Sequence, residues 1–133
     1  ATVVCVDGDG SFQMTLQELA TAVQYKLPVK VCIINNRYLG MVRQWQELFY
    51  EERYSEVDLS DNPDFVQVAQ AFGIPAFRAR TPDEVDPAIR AAQAVDGPAL
   101  IWFETAEEQN VFPMMPAGKG LSDLIEKWDG PDE

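Results

Sequence analysis

TVVCVDGDGSFQMTLQELATAVQYKLPVKVCIINN (residues 2–36) holds two apolar runs, each closed by polar, turn-forming residues, with a helix-periodic stretch between them. Gly8-Asp9-Gly10 ends the first run and Asn35-Asn36 ends the second. Strand, helix and strand in this order make a βαβ unit, whose crossover sets the two strands parallel and adjacent. Both closing loops then emerge side by side at the carboxyl edge of the sheet, where open α/β folds bind ligands. One loop offers glycines and a carboxylate, the other carboxamide oxygens. A magnesium ion that holds a diphosphate needs such a set of hard oxygen ligands. The residues alone therefore point to a site for Mg2+ and a diphosphate.

Composition narrows the alternatives. The chain has 133 residues and 47% hydrophobic content, enough for one globular domain with its own core. It contains no histidine, which excludes a His-bearing triad, a histidine zinc site and an imidazole general base. A net charge of −12, from 22 acidic and 10 basic residues, opposes binding to nucleic acid or to an anionic membrane. The same acidity would repel a diphosphate unless a divalent cation stood between it and Asp9. Cys5 and Cys32 each lie within an apolar run and in no metal-ligand spacing, so they read as small buried hydrophobes, on strands close enough for a bond to be checked. No apolar stretch approaches the roughly 20 residues of a membrane span, and the expected compartment is bacterial cytoplasm or an organellar interior.

Further along, strand and helix alternate. Thr15-x-x-Glu18 reads as a capping box opening a helix from Leu16 to Tyr25, which Pro28 ends. Met41, Val42, Trp45, Leu48 and Phe49 recur at helical spacing from a start near Leu39-Gly40. Asn62-Pro63 reads as N-cap and first-turn proline of a helix over 64–72, stopped by Gly73. Residues 76–79 form a short strand and 99–103 the last buried one. Between them, Pro87 predicts either a single turn before it or a helix restarting with Asp86 as cap. The tail from Glu104 carries Pro113, Pro116, Gly118 and Gly120, which argue for an irregular arm and one helical turn near 122–127. The division expected is 1–106 for the sheet domain and 107–133 for its arm. The chain starts inside a strand, so a neighbouring element on its N-terminal side is expected to complete the sheet.

Gly8-Asp9-Gly10, 24 intervening residues, and Asn35-Asn36 resemble the cofactor motif of thiamine-diphosphate enzymes. Within that superfamily, residues 8–19 (GDGSFQMTLQEL), 39–46 (LGMVRQWQ) and 49–55 (FYEERYS) look like the catalytic subunit of acetolactate synthase. The likeness extends through Asn62-Pro63-Asp64-Phe65 to Asn110-Val111-Phe112-Pro113-Met114. The fold it implies is a three-layer open, mostly parallel sheet with helices on both faces, truncated at its N-terminal side.

Carried over by position, the resemblance implies that Asp9, the side chain of Asn36 and the backbone carbonyl of Tyr38 ligate Mg2+, with diphosphate oxygens and water completing the shell. Gly8, Gly10, Ser11, Gly40 and Met41 would line the cofactor, with the amides of Gly10 and Ser11 facing the diphosphate and glycine allowing unusual dihedrals there. Asn35 reads as shaping the turn. Met41 and Trp45 would form the substrate pocket, although helical spacing alone would place both in the core. The segment 109–121 would close over that site.

The chemistry implied is decarboxylation of pyruvate and transfer of the remaining two-carbon unit to a second 2-ketoacid, giving acetolactate or acetohydroxybutyrate. The family's activating glutamate and its FAD domain precede the part matched here, so no catalytic side chain is assigned in this chain. A homodimer or tetramer and a regulatory small subunit are implied as partners. Arg37-Tyr38-Leu39 departs from the acidic and amide residues common there in the family, which a backbone ligand tolerates. Pyruvate oxidase, glyoxylate carboligase and benzoylformate decarboxylase share the diphosphate motif, and Gln44-Trp45-Gln46 argues against them. A non-catalytic α/β binding module is the alternative from another class.

Overall fold

In the computed structural model, which describes residues 1–107 and 109–127, four strands form one parallel sheet: β1 (Val3–Gly8), β2 (Val29–Asn35), β3 (Ala76–Ala79) and β4 (Ala99–Glu104), in the order β1-β2-β4-β3. The two motif-bearing strands are neighbours, with Gly8 opposite Ile34. Five helices connect and flank them: α1 (Asp9–Gln13), α2 (Leu19–Gln24), α3 (Gly40–Phe49), α4 (Phe65–Ala71) and α5 (Pro82–Gln93).

Alternation along β2 and β4 divides the core between two faces. Val31, Ile33, Leu100 and Trp102 pack with Phe12, Leu19, Phe65 and Ala69 from α1, α2 and α4. Cys32, Ala99 and Ile101 pack with Ala88 and Ala92 of α5 on the other. The three-layer α/β arrangement is therefore as the sequence indicates. β1 is an edge strand, and its Val3, Val4 and Val6 are open, Val6 by 68%. Cys5 shares that exposure, which corrects its reading as buried, while Cys32 is buried; both thiols are free.

Several local expectations are overturned by tertiary contacts. The Gly-Asp-Gly segment is the start of a helix rather than a loop, with extended Gly8 as its N-cap. Thr15 makes no cap bond; its amide donates to Phe12 O while α1 ends, and Glu18 accepts instead from Thr21 Oγ1 at 3.1 Å. The α4 N-cap is Asp64, whose Oδ1 accepts from Val66 and Gln67 amides at 3.0 and 3.1 Å, two residues beyond the expected Asn62. A carboxylate is the better partner for the positive end of a helix, and Asn62 is engaged elsewhere. At the other end, Gly73 at φ +79° closes α4 with Gly73 N to Gln70 O and Ile74 N to Ala69 O, both at 2.9 Å. Helix α5 runs unbroken through Pro87, because the missing amide costs one bond near its start while Val85, Ala88, Ile89 and Ala92 pack against the sheet on both sides of it. In the arm, the helical turn is a three-residue one, Leu121–Asp123, and Met114 bridges Ile125. Glu108 and residues 128–133 of the expected arm lie outside the described residues.

Buried Lys30 donates from Nζ to the carbonyls of Val95 and Gly97, both at 2.7 Å, and so ties β2 to the turn after α5. Asp64 is pushed upward in pKa by burial, yet the Arg78 guanidinium at 2.6 Å and the α4 amides hold it below its ordinary 3.8. A depressed carboxyl contributes stability that is complete above its unfolded pKa and lost as pH falls through the folded one. Asp64→Asn is accordingly expected to flatten the acid limb of the stability curve below about pH 4, within the ordinary Asp range. Urea midpoints compared across that limb would show it; an unchanged slope would refute the coupling.

Candidate functional site

The loops after β1 and β2 open onto one cleft of about 690 Å3, lined by Gly8, Asp9, Gly10, Ser11, Asn36, Tyr38, Gly40 and Met41, among others. All eight residues assigned to the cofactor by sequence line this single cavity. Thr105, Ala106, Gln109 and Val111 line it as well.

Asp9 is the first residue of α1 and only 1% exposed. Its Oδ2 accepts from Asn62 Nδ2 at 3.1 Å. The Asn35 amide, in the orientation that satisfies both its neighbours, donates to the same Oδ2 at 3.1 Å and accepts from Trp102 Nε1 at 2.9 Å. Asn35 thus acts on Asp9 rather than merely shaping the turn. Burial pushes the Asp9 carboxyl above 3.8, and the amides of Asp9 and Gly10, the Asn62 side chain and the Arg37 amide only partly reverse this.

Asn36 is set by a tight local turn, its Oδ1 accepting from Tyr38 N at 3.2 Å. The following residues form a short antiparallel bridge, Tyr38 opposite Asp58, through Leu39 N to Val57 O at 2.9 Å and Leu59 N to Arg37 O at 2.8 Å. This bridge occupies the Arg37 carbonyl and the Leu39 amide. Alternation of extended backbone turns the Tyr38 carbonyl the other way. The unusual Arg37-Tyr38-Leu39 segment therefore keeps a backbone oxygen clear of the bridge.

Gly10 serves a different purpose from the one expected of it. Its backbone is ordinary helix, with no need of unusual dihedrals, but a Cβ there would stand 2.9 Å from Leu39 Cδ2 and 3.0 Å from Leu59 Cδ1. Glycine lets the two loops pack on α1. Ser11 Oγ is occupied by Asp7 and is not presented to the cleft as a free hydroxyl.

The chemistry of the donors fits a divalent cation shared with a diphosphate. Among the described residues no three His, Cys, Asp or Glu side chains gather around one point. One carboxylate, one carboxamide and one carbonyl make half of an octahedral shell, and phosphate oxygens with water suit the other half.

Met41 also lines a second cavity, of about 760 Å3, with Val42, Trp45, Gln46, Tyr50 and Arg53. Trp45 is 39% exposed and meets Phe49 edge to face at 5.9 Å, so the core reading of its helical spacing fails. The two glutamines that flank it, read in the sequence only as part of the family signature, are structural. Gln44, buried, bonds the Val111 peptide in both directions at 2.9 and 3.0 Å and pins the arm to α3. Gln46 does the same to Ser55, at 3.1 and 3.0 Å. Arg43 lies over the Tyr38 and Tyr54 rings and pairs with Glu47 at 2.8 Å, which ties the segment after β2 to the segment after α3.

A parallel α/β sheet that brings a buried carboxylate and a carboxamide from adjacent strand ends to one cleft has the architecture of an enzyme's cofactor-binding domain. The model of the family described as thiamine pyrophosphate enzyme, C-terminal TPP binding domain, matches residues 1–103, and the chain belongs to that family. Its curated relatives include the acetolactate synthase isozyme 2 large subunit of Escherichia coli K12, 48% identical over 95% of this chain and 23% of the relative. The acetolactate synthase of Mycobacterium avium is 50% identical over 93% of this chain and 21% of its own. Among solved structures, a thiamine diphosphate-dependent 4-hydroxybenzoylformate decarboxylase from Rhodococcus jostii RHA1 superposes with a TM-score of 0.74 at 30% identity, over 81% of this chain and 20% of that one. The chain spans about a fifth of the length of these proteins. Among the described residues no helix is long and apolar enough to cross a membrane.

Proposed function

We propose that this chain is the diphosphate-gripping part of an acetolactate synthase, an enzyme that joins two 2-ketoacids in branched-chain amino acid biosynthesis. The observation that carries the reading is Met41, which borders both the Asp9–Asn36 cleft and the Trp45 cavity and so sets a cofactor site directly against an apolar acceptor site. Asp9, Asn36 and the Tyr38 carbonyl would hold Mg2+, and the Ser11 amide in the first turn of α1 would face the diphosphate. Thiamine diphosphate, when bound, supplies a carbon nucleophile and an electron sink for decarboxylation of pyruvate. The protein's share is to orient the cofactor, exclude water beneath the arm at 109–121 and choose the second ketoacid. Trp45 offers an aromatic wall against which the extra methyl group of 2-ketobutyrate can be buried.

The residue division 1–106 and 107–133, FAD binding elsewhere in the full-length protein, association of copies into a dimer or tetramer, a regulatory small subunit, and a bacterial cytoplasmic or organellar setting belong to the same proposal. Its support is the likeness to proteins named large or catalytic subunits and the open apolar faces of β1 and α3.

Product analysis of the intact protein with Mg2+, thiamine diphosphate and either pyruvate alone or pyruvate with 2-ketobutyrate tests the reading. Acetolactate and then acetohydroxybutyrate are the expected products, and Trp45→Leu should reduce the preference for 2-ketobutyrate roughly tenfold, about the discrimination one methylene provides. Release of an aldehyde with no carbon–carbon bond formed would point to a decarboxylase and overturn it.

A further inference from the structure

Asn62 lies 53 residues from Asp9 in sequence and in no cofactor motif, yet its amide reaches Asp9 Oδ2 at 3.1 Å. We propose that Asn62 is a positioning residue for the cation site: with Asn35 it holds Oδ2 and so, together with the amides of Asp9, Gly10 and Arg37, fixes the orientation of the carboxylate that would ligate the metal. The inference rests on the assignment of Asp9 as a metal ligand.

Both side-chain donors on Oδ2 are neutral carboxamides. Neutral donors satisfy a buried carboxylate without cancelling its charge, whereas a lysine or arginine in their place would hold the same oxygen and compete with a cation for it. The surroundings also make Asn62 rigid. Its own amide donates to Leu59 O at 3.0 Å, Pro63 follows it, and Asp64 is anchored twice, as the α4 cap and by Arg78 at 2.6 Å. The Asn-Pro-Asp segment is thus held by the α4 end of the core and delivers one amide to the end of β1. Leu59, three residues before Asn62 at the other end of the 59–62 turn, packs over Gly10 and keeps that turn against α1. Partners of metal ligands that do not touch the metal are commonly worth ten- to a hundredfold in affinity.

The test is Mn2+ binding to the intact protein with saturating thiamine diphosphate, free Mn2+ being read by electron paramagnetic resonance. Asn62→Ala should raise the Mn2+ dissociation constant about tenfold or more. Asn62→Ser, polar but too short to span the gap, carries the same expectation should the alanine variant fail to fold. Ser60→Ala is the control: it removes the Ser60 Oγ to Asp58 bond at 2.6 Å and so loosens the same loop without touching Asp9. It should leave the Mn2+ constant within twofold whatever it does to the melting temperature. Variants of Asn62 within twofold of the parent, or a Ser60→Ala loss of equal size, would overturn the positioning role alone. A parent protein that binds no Mn2+ would overturn the metal assignment beneath it as well.

Discussion

Asp9→Ala is expected to raise the Mg2+ concentration needed for half-saturation with thiamine diphosphate by more than about a hundredfold, beyond the range seen when only a ligand's partner is lost. Asp9 is the one carboxylate assigned to the cation, and the carbonyl and carboxamide that remain carry no net charge to attract it. Calorimetric titration of the intact protein with Mg2+ at fixed cofactor would measure this; a variant with an unaltered midpoint would remove Asp9 from the site. The isosteric Asp9→Asn separates binding from folding. Because burial raises the Asp9 pKa, this group's own contribution to the cofactor-free fold is most favourable when it is protonated and declines as pH rises from 3.8 through the folded value. The neutral amide escapes that loss. Cofactor-free Asp9→Asn is therefore expected to melt no lower than the parent at neutral pH while binding no Mg2+.

Phe65→Ala should lower the unfolding free energy by about 3–5 kcal/mol, the range for deleting a large buried aromatic. Phe65 is fully buried and meets two rings edge to face, Phe12 at 5.3 Å and Trp102 at 5.8 Å. Each such ring pair adds about 0.5–1.5 kcal/mol to simple burial. The site should suffer as well. Phe12 belongs to the short α1 that begins with Asp9, and Trp102 donates to the Asn35 amide that bonds Asp9. Loosening one ring releases two of the supports of the carboxylate. Urea unfolding would register the first effect and Mg2+ titration the second; a stability loss below about 1 kcal/mol would mean the core can close over the gap.

The strands were legible because each is a short β-branched or apolar run with punctuation at its end, a signal carried by a few adjacent residues. Thus 3–8, 29–35, 76–79 and 99–104 emerge where the pattern places them. The helix start near Leu39-Gly40 was equally plain. Caps and turns were harder, because a cap competes among neighbours and the winner depends on partners far along the chain. Asn62-Pro63 has the form of a helix opening, but Asp64 has Arg78 beside it and Asn62 has Asp9, and both partners come from other strands' ends. Thr15 likewise has the right letters for a capping box, yet it sits where α1 ends and a three-residue turn begins. Asn35 looked like punctuation until Trp102 and Asp9 closed on it from either side.

Sequence by itself determined the βαβ unit, the parallel sheet and the pairing of Asp9 with Asn36 at one edge, because register and alternation follow from local periodicity and a short crossover leaves few topologies. Tertiary structure alone decided which groups hold Asp9 in place, why position 10 must lack a Cβ, and how the arm is pinned through Gln44. Those are contacts between residues 26 to 67 apart, set by the packing of side chains around a closed core, and no spacing along the chain encodes them.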